Sequence, residues 1–188
     1  MDFIKLFIYT FYPAISDNSA KSLNNILRLK TLTKGEQLNS ENSFFILKAG
    51  SIKAIYFDEK EKAYTTNLFL PSIKSNRVTN VLNFPASNRN FECITNVELY
   101  ECSLNDFNKL TNNNHEISIL STKILEHKVI INGERASNMI KFDTEKRYIN
   151  LLNEFPYLEK LIPKYEIAAY LNISPVQLTR IRKKIRKG

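Results

Sequence analysis

Apolar residues recur every three or four positions at both ends of the chain and about every second position through its middle, which predicts helices flanking a β-rich centre. The first run, Phe3 to Tyr12, is interrupted by Lys5 and is too short to span a bilayer, which takes about 20 helical residues. It lacks a basic stretch before it and a small-residue cleavage site after it, so it reads as a packed helix rather than a leader. Ile15, Leu23, Ile26, Leu27 and Leu29 extend the helical start, and the texture changes at Leu32. From there LTKGEQL, FFILKAGSIKAIYFD, AYTTNLFL, VTNVLNF and FECITNVELYECS follow one another, separated by Lys-Gly, Asp-Glu-Lys, Pro and Asn-rich breaks. Short strands at such spacing predict a sandwich or roll. Gly50, midway through FFILKAGSIKAIYF, predicts a tight turn between antiparallel neighbours in a meandering sheet.

From about Asn114 to Lys141 the helical period returns, with Ile117, Leu120, Ile124, Ile131 and Asn138 near a heptad track. A helix of ~40 Å carrying one apolar stripe suits pairing with its own copy, so Ile117, Leu120, Ile124 and Ile131 are the expected dimer contacts. The alternative is that the stripe packs on the parent domain. His127, on or beside it, is expected to be a partly buried packing residue. Asp143 or Thr144 then caps a helix whose Tyr148, Leu151, Leu152 and Phe155 share a face before Pro156, and Leu158, Leu161 and Ile162 form a further apolar element. So thin a helical core is expected to lean on the long helix or on the β-rich region.

The last such stretch, Lys164 to Arg186, carries every local signal of a helix-turn-helix. Ile167, Ala168 and Leu171 form one apolar face, with Ala168 small where a second helix must cross. Asn172 tolerates the left-handed conformation of a helix C-terminus, and Ile173 plugs the turn. Ser174-Pro175 starts the next helix with a side-chain cap and a residue that needs no donor. Leu178, Ile181 and Ile185 make a narrow stripe along it, leaving Val176, Gln177, Thr179, Arg180, Arg182, Lys183, Lys184, Arg186 and Lys187 for other faces.

Charge sharpens this picture. The 188 residues carry a net +8, yet residues 141–188 alone hold 11 basic and 5 acidic side chains. Such asymmetry suits a polyanion-binding module joined to a domain with another task. Cys93 and Cys102 read as buried free thiols. With two histidines, no Gly-rich phosphate loop, no G-x-S-x-G elbow and no clustered metal ligands, neither an enzyme nor a metal or cofactor is expected. A cytoplasmic location without a membrane partner is the expectation.

Leu32-Thr33-Lys34-Gly35-Glu36-Gln37-Leu38 resembles the early L-x-K-G-E-x-L turn of the cyclic-AMP receptor protein/FNR (Crp/Fnr) family of transcription regulators. Residues 45–53, FILKAGSIK, resemble that family's Y-x-I-x-x-G-x-(V/L)-(K/R) hairpin, and residues 96–107 its last roll strands running into the long helix. Residues 145–156 and 167–183 are similar to a shortened branch in which the chain stops just after the recognition helix, without a β-hairpin wing. The resemblance implies an α+β fold in three parts: an antiparallel β-roll of the cyclic-nucleotide-binding type with N-terminal helices over 1–113, a long dimerisation helix over 114–141, and a helix-turn-helix domain over 142–188.

The chain departs from the family in the roll. Asn42 stands where glycine is usual. Members that bind cyclic nucleotides hold the phosphate with a motif of the form G-E-(L/I)-x-x-(L/F)…R-(S/T)-A. Here the corresponding residues 68–93 contain no glycine, and no acidic residue lies between Glu61 and Glu92. Arg77 and Arg89 lack the expected context, so cyclic-nucleotide control is expected to be lost. The N-terminal cysteine cluster of iron–sulfur members and a haem-ligand motif are also missing.

What the resemblance implies is a homodimer placing two recognition helices on a near-palindromic site in double-stranded DNA, with RNA polymerase as a further partner. Arg180 is the first candidate for reading bases, since its counterpart in the family faces base edges and arginine binds guanine O6 and N7 bidentately. Gln177 is second, and Val176 and Pro175 suit a thymine methyl. Ser174, Thr179, Lys164, Tyr165, Arg182, Lys183 and Arg186 are expected at phosphates. Two other readings stay open: a roll that senses an unidentified small ligand, and an interaction protein that keeps the fold without binding DNA.

Overall fold

The computed structural model describes residues 3–38, 42–70, 81–82 and 89–186. Helices α1 (Phe3–Phe11) and α2 (Asp17–Ile26) lead into strands β1 (Arg28–Leu32), β2 (Gln37–Leu38), β3 (Ser43–Ala49), β4 (Ile52–Phe57), β5 (Ala63–Phe69), β6 (Val81–Leu82), β7 (Arg89–Cys93) and β8 (Val97–Ser103). Helices α3 (Leu104–Asn113), α4 (His115–Lys141), α5 (Thr144–Glu154), α6 (Leu158–Leu161), α7 (Lys164–Tyr170) and α8 (Pro175–Ile185) follow.

The strands form two antiparallel four-stranded sheets, β1-β8-β3-β6 and β2-β7-β4-β5. The period-2 pattern explains the layering. In β3, Phe45 and Leu47 point to the space between the sheets with Ile52, Ala54, Val97 and Leu99, while Phe44 and Ile46 point the other way. The latter pair meets Phe7, Ile8 and Leu23 of the N-terminal helices and Phe107 of α3. A strand buried on both faces needs an unbroken apolar run, which FFIL supplies.

Three expectations change. The β region begins at Arg28, so Leu29 lies in edge strand β1 and is 53% exposed. Gly50 does not close a hairpin: β3 pairs with β8 and β6, and β4 with β5 and β7, so the chain crosses there from one sheet to the other and the topology is a roll, not a meander. The glycine is still required. Its φ is +88°, and an added Cβ would overlap the Asn96 carbonyl oxygen and stand 2.9 Å from Val97 Cα. Finally, β8 does not run directly into the long helix, because α3 intervenes. Its ten residues offer only Leu104, Phe107 and Leu110 to an apolar face. Its clearest sign is Ser103, whose Oγ accepts the Asp106 N–H at 3.0 Å.

The long helix is capped by Asn114, whose side chain accepts the Ile117 N–H at 3.2 Å. The stripe assigned to dimerisation needs correction. Ile117, Leu120 and Ile124 are at most 1% exposed, packed with α1, α2 and α3 in the chain's own core, and Ile131 alone of the four is open, at 43%. His127 continues the parent-facing side: its ring meets Phe11 edge-on at 5.5 Å, and burial lowers its pKa. Cys93 and Cys102 are free and buried, and desolvation pushes their thiols up to about 11 and about 12.

Asp143 caps α5, and Tyr148, Leu151, Leu158, Ile162, Ile167, Ala168, Leu171 and Leu178 form the core of the C-terminal helices. Leu70 and Ile94 from the roll complete it. The thin core therefore leans on the sheet.

Candidate nucleic-acid interface

The turn between α7 and α8 is built as its residues dictate. Asn172 takes φ +57°, and its N–H donates to the Ala169 carbonyl at 3.1 Å while the Ile173 N–H reaches the Ala168 carbonyl at 3.0 Å. Helix α8 opens on a reciprocal capping box: Ser174 Oγ accepts the Gln177 N–H at 3.2 Å, and Gln177 Oε1 accepts the Ser174 N–H at 2.8 Å. Ala168 is fully buried between the two helices. Leu178 is buried too, with Ile181 and Ile185 packed beside it, so at 100° per residue the opposite face of α8 is centred on Val176, Thr179, Arg180 and Lys183.

All four are exposed, Val176 at 61%. Pro175, Lys164, Tyr165 and Arg186 are exposed as well. Ser174 and Gln177 are exposed, but Ser174 Oγ and Gln177 Oε1 already serve the cap, which leaves the amide nitrogen of Gln177 outside it. Thr179 Oγ1 donates to the Pro175 carbonyl at 2.9 Å.

Arg182 is a correction. Expected at a phosphate, its guanidinium is instead turned inward onto Glu159, with Nη2 2.7 Å from Oε2 and Nε on Oε1, leaving its side chain 13% exposed. Tyr148 Oη donates to the same carboxylate. Burial is the largest single influence on the Glu159 pKa and would raise it, but the hydrogen bonds from Arg182 and Tyr148 and the nearby positive charge of Arg182 together outweigh it, and the group sits below its usual range. Lys184 is likewise engaged, with Glu145 at 2.6 Å. Arg180 and Lys183 form no salt bridge among the described residues, so the cations left unneutralised lie on the outward face.

One ion pair beneath the interface is absent from the sequence reading. Glu166, in α7, is 5% exposed and its Oε1 lies 2.8 Å from Lys53 Nζ on β4, which also reaches Glu92 Oε1 on β7 at 3.1 Å. Burial would lower the Lys53 pKa; the hydrogen bonds to Glu166 and Glu92 win and raise it. The one sign in the sequence is an acidic residue in the apolar half of α7. The pair ties the first helix of the helix-turn-helix to the outer face of the second sheet.

The segment corresponding to the family's phosphate-binding motif runs through residues 71–80 and 83–88, outside the described residues, and Arg77 lies there with it. Among the described residues no group of three or more His, Cys, Asp or Glu side chains is placed to hold a metal ion, and no helix is long and apolar enough to cross a membrane.

At the level of sequence, no protein-family model and no curated protein matches the chain. Solved structures do. FixK2 from Bradyrhizobium japonicum is similar with a TM-score of 0.71 at 10% identity, over 86% of this chain and 85% of that one. A protein from Eubacterium rectale described as a regulator of the Crp/Fnr family gives 0.65 at 11% identity, over 95% and 87%. CLP of Xanthomonas campestris, described as a c-di-GMP responsive global regulator, gives 0.60 at 13% identity, over 92% of both chains. With its two-sheet roll, long helix and terminal helix-turn-helix in the same order, the chain has the fold of the Crp/Fnr transcription regulators.

Proposed function

We propose that the protein is a sequence-specific DNA-binding transcription regulator, cytoplasmic and non-enzymatic, that acts as a homodimer on a near-palindromic site without cyclic-nucleotide control. The three-part division at residues 113/114 and 141/142 is the working division of labour in this reading. The observation that carries it is the capped helix α8, which turns Val176, Thr179, Arg180 and Lys183 outward together while pairing its other cations Arg182 and Lys184 with carboxylates. Arg180 and Val176 read base edges, with Pro175 and the free amide of Gln177 at the start of the helix; Lys183, Arg186, Lys164, Tyr165, Thr179 and Ser174 meet phosphates. RNA polymerase is the further partner of such a regulator.

The dimer seam is not the stripe read from the sequence. Ser118, Thr122, Leu125, Val129, Asn132, Ala136 and Met139 follow alternating steps of four and three along α4, and all are exposed. Leu125, Val129 and Met139 are 39%, 70% and 61% exposed. This face lies about 130° around the helix from the buried one. Two copies meeting along it bring the recognition helices to successive major grooves, about 34 Å apart.

The test is anisotropy titration of specific and random duplexes across a salt series. Arg180→Ala should cost about 1–3 kcal/mol on the specific site and relax preference at one base position, whereas Lys183→Ala should weaken all sequences alike and reduce the salt slope by about one. Equal effects of both changes on both duplexes contradict the assignment. No salt-dependent binding at all would leave a fold kept for protein contacts alone.

A further inference from the structure

A cavity of about 330 Å³ opens where the roll, the long helix and the C-terminal helices meet. We infer that it is a binding site for a small organic monoanion, a carboxylate carried on an apolar body. Its volume lies within the range of small-molecule sites, roughly 300–1,000 Å³. Its wall comes from four elements: Tyr64 of β5, Arg135 and Met139 of α4, Arg147 and Leu151 of α5, and Tyr170 of α7.

Two guanidinium groups facing one cavity set the ligand's charge. Arg135 is held in place, donating to the Thr66 carbonyl and lying over the Tyr170 ring at 4.6 Å. Arg147 donates from Nη2 to Thr144 Oγ1 at 3.0 Å, but its buried Nε has no acceptor. A buried donor without a partner is costly. A small turn of the side chain would give that N–H to an oxyanion, which is the acceptor geometry a guanidinium matches best. Glu154 also lines the cavity, so the excess is one positive charge, which favours a singly charged head group over a polyphosphate. Leu151, Met139 and the two tyrosine rings suit an apolar or aromatic body.

The position gives occupancy a mechanical consequence. A ligand there touches β5 of the roll, the C-terminal half of α4 and the first helix of the helix-turn-helix at once, and so favours the arrangement in which those three are packed together. The site itself does not depend on the DNA-binding reading, and its test contains no DNA.

Calorimetric titration of the full chain with benzoate, phenylacetate and neutral benzyl alcohol decides the matter. The expected result is saturable binding of at least one of the two anions at one site per chain, with benzyl alcohol weaker by about tenfold or more. Arg147→Gln should weaken the anion about tenfold, and Ala169→Phe, which puts a ring into the cavity from an exposed position of α7, should abolish it. If Arg147→Gln does not fold, Ala169→Phe alone carries the decision. Failure of both anions to saturate, equal binding of benzyl alcohol, or a folded Ala169→Phe that binds like the wild type overturns the proposal.

Discussion

Removing Lys53 should damage the protein more than removing Glu166, although they are two ends of one ion pair. Their side chains are 13% and 6% exposed, so both charges are largely out of water. Among the described residues Glu166 pairs with one cation, Lys53, whereas Lys53 also holds Glu92, 3.1 Å away and 30% exposed. Lys53→Met therefore strands a buried carboxylate, a change that costs about 3–5 kcal/mol in such settings. Glu166→Gln keeps a hydrogen-bonding shape beside an ammonium that retains Glu92, and should cost about 1–2 kcal/mol. Replacing both, as Lys53→Met with Glu166→Leu, removes the stranded charge and should return to within about 1 kcal/mol of wild type. Urea unfolding followed by far-UV circular dichroism, suited to a chain without tryptophan, measures all three. The pH dependence gives a second handle. Because the folded pKa of Lys53 is raised, its contribution is fully present below the ordinary lysine value of 10.5 and is lost as pH rises through the higher folded value. Wild type should then lose stability more steeply than Lys53→Met above about pH 10.5. Equal costs for the two single changes, or a double variant worse than Lys53→Met alone, would show that Glu166 is not stranded by the loss of Lys53.

Gly50→Ala should cost well over 1 kcal/mol in the same assay and Gly35→Ala only about 1 kcal/mol. Both glycines have φ near +90°, but only at Gly50 does a Cβ meet backbone, at Asn96 and Val97. Val129→Glu should shift the chain toward monomer in sedimentation equilibrium with its melting at low concentration unchanged, whereas Ile124→Glu should unfold the N-terminal core; the reverse pattern would return the seam to the buried face. Glu159, with its pKa held down mainly by Arg182 against the pull of burial, contributes stability that is present above the ordinary value of 4.5 and lost as pH falls through the folded one. Acid unfolding of Glu159→Gln should accordingly be shallower than that of wild type below about pH 4.5, and parallel curves would show that the pair adds nothing.

What was legible in the sequence was what neighbouring residues settle among themselves. Asn172, Ser174 and Pro175 specify a helix end and a helix start within a few positions, and the turn follows as read. Pairing partners are a different matter: a glycine between two alternating runs looks alike whether the next strand folds back on its neighbour or crosses to another sheet, and at Gly50 it crosses. The long helix misled through its composition. Ile117, Leu120 and Ile124 are the stronger apolar stripe because they face the core, while the open seam mixes Leu125, Val129 and Met139 with Ser118, Thr122 and Asn132 and so looks polar. The pairing of Arg182 with Glu159 joins residues 23 apart in sequence, a contact that no local pattern encodes.

Selecting bound duplexes from a random pool with the purified chain shows whether a two-fold dimer reads DNA through α8. Enrichment of an inverted repeat whose half-site centres lie about 10 base pairs apart is expected, with the preference at one position of each half-site relaxed by Arg180→Ala. A pool that stays random, or an enriched site without two-fold symmetry, would contradict such a dimer.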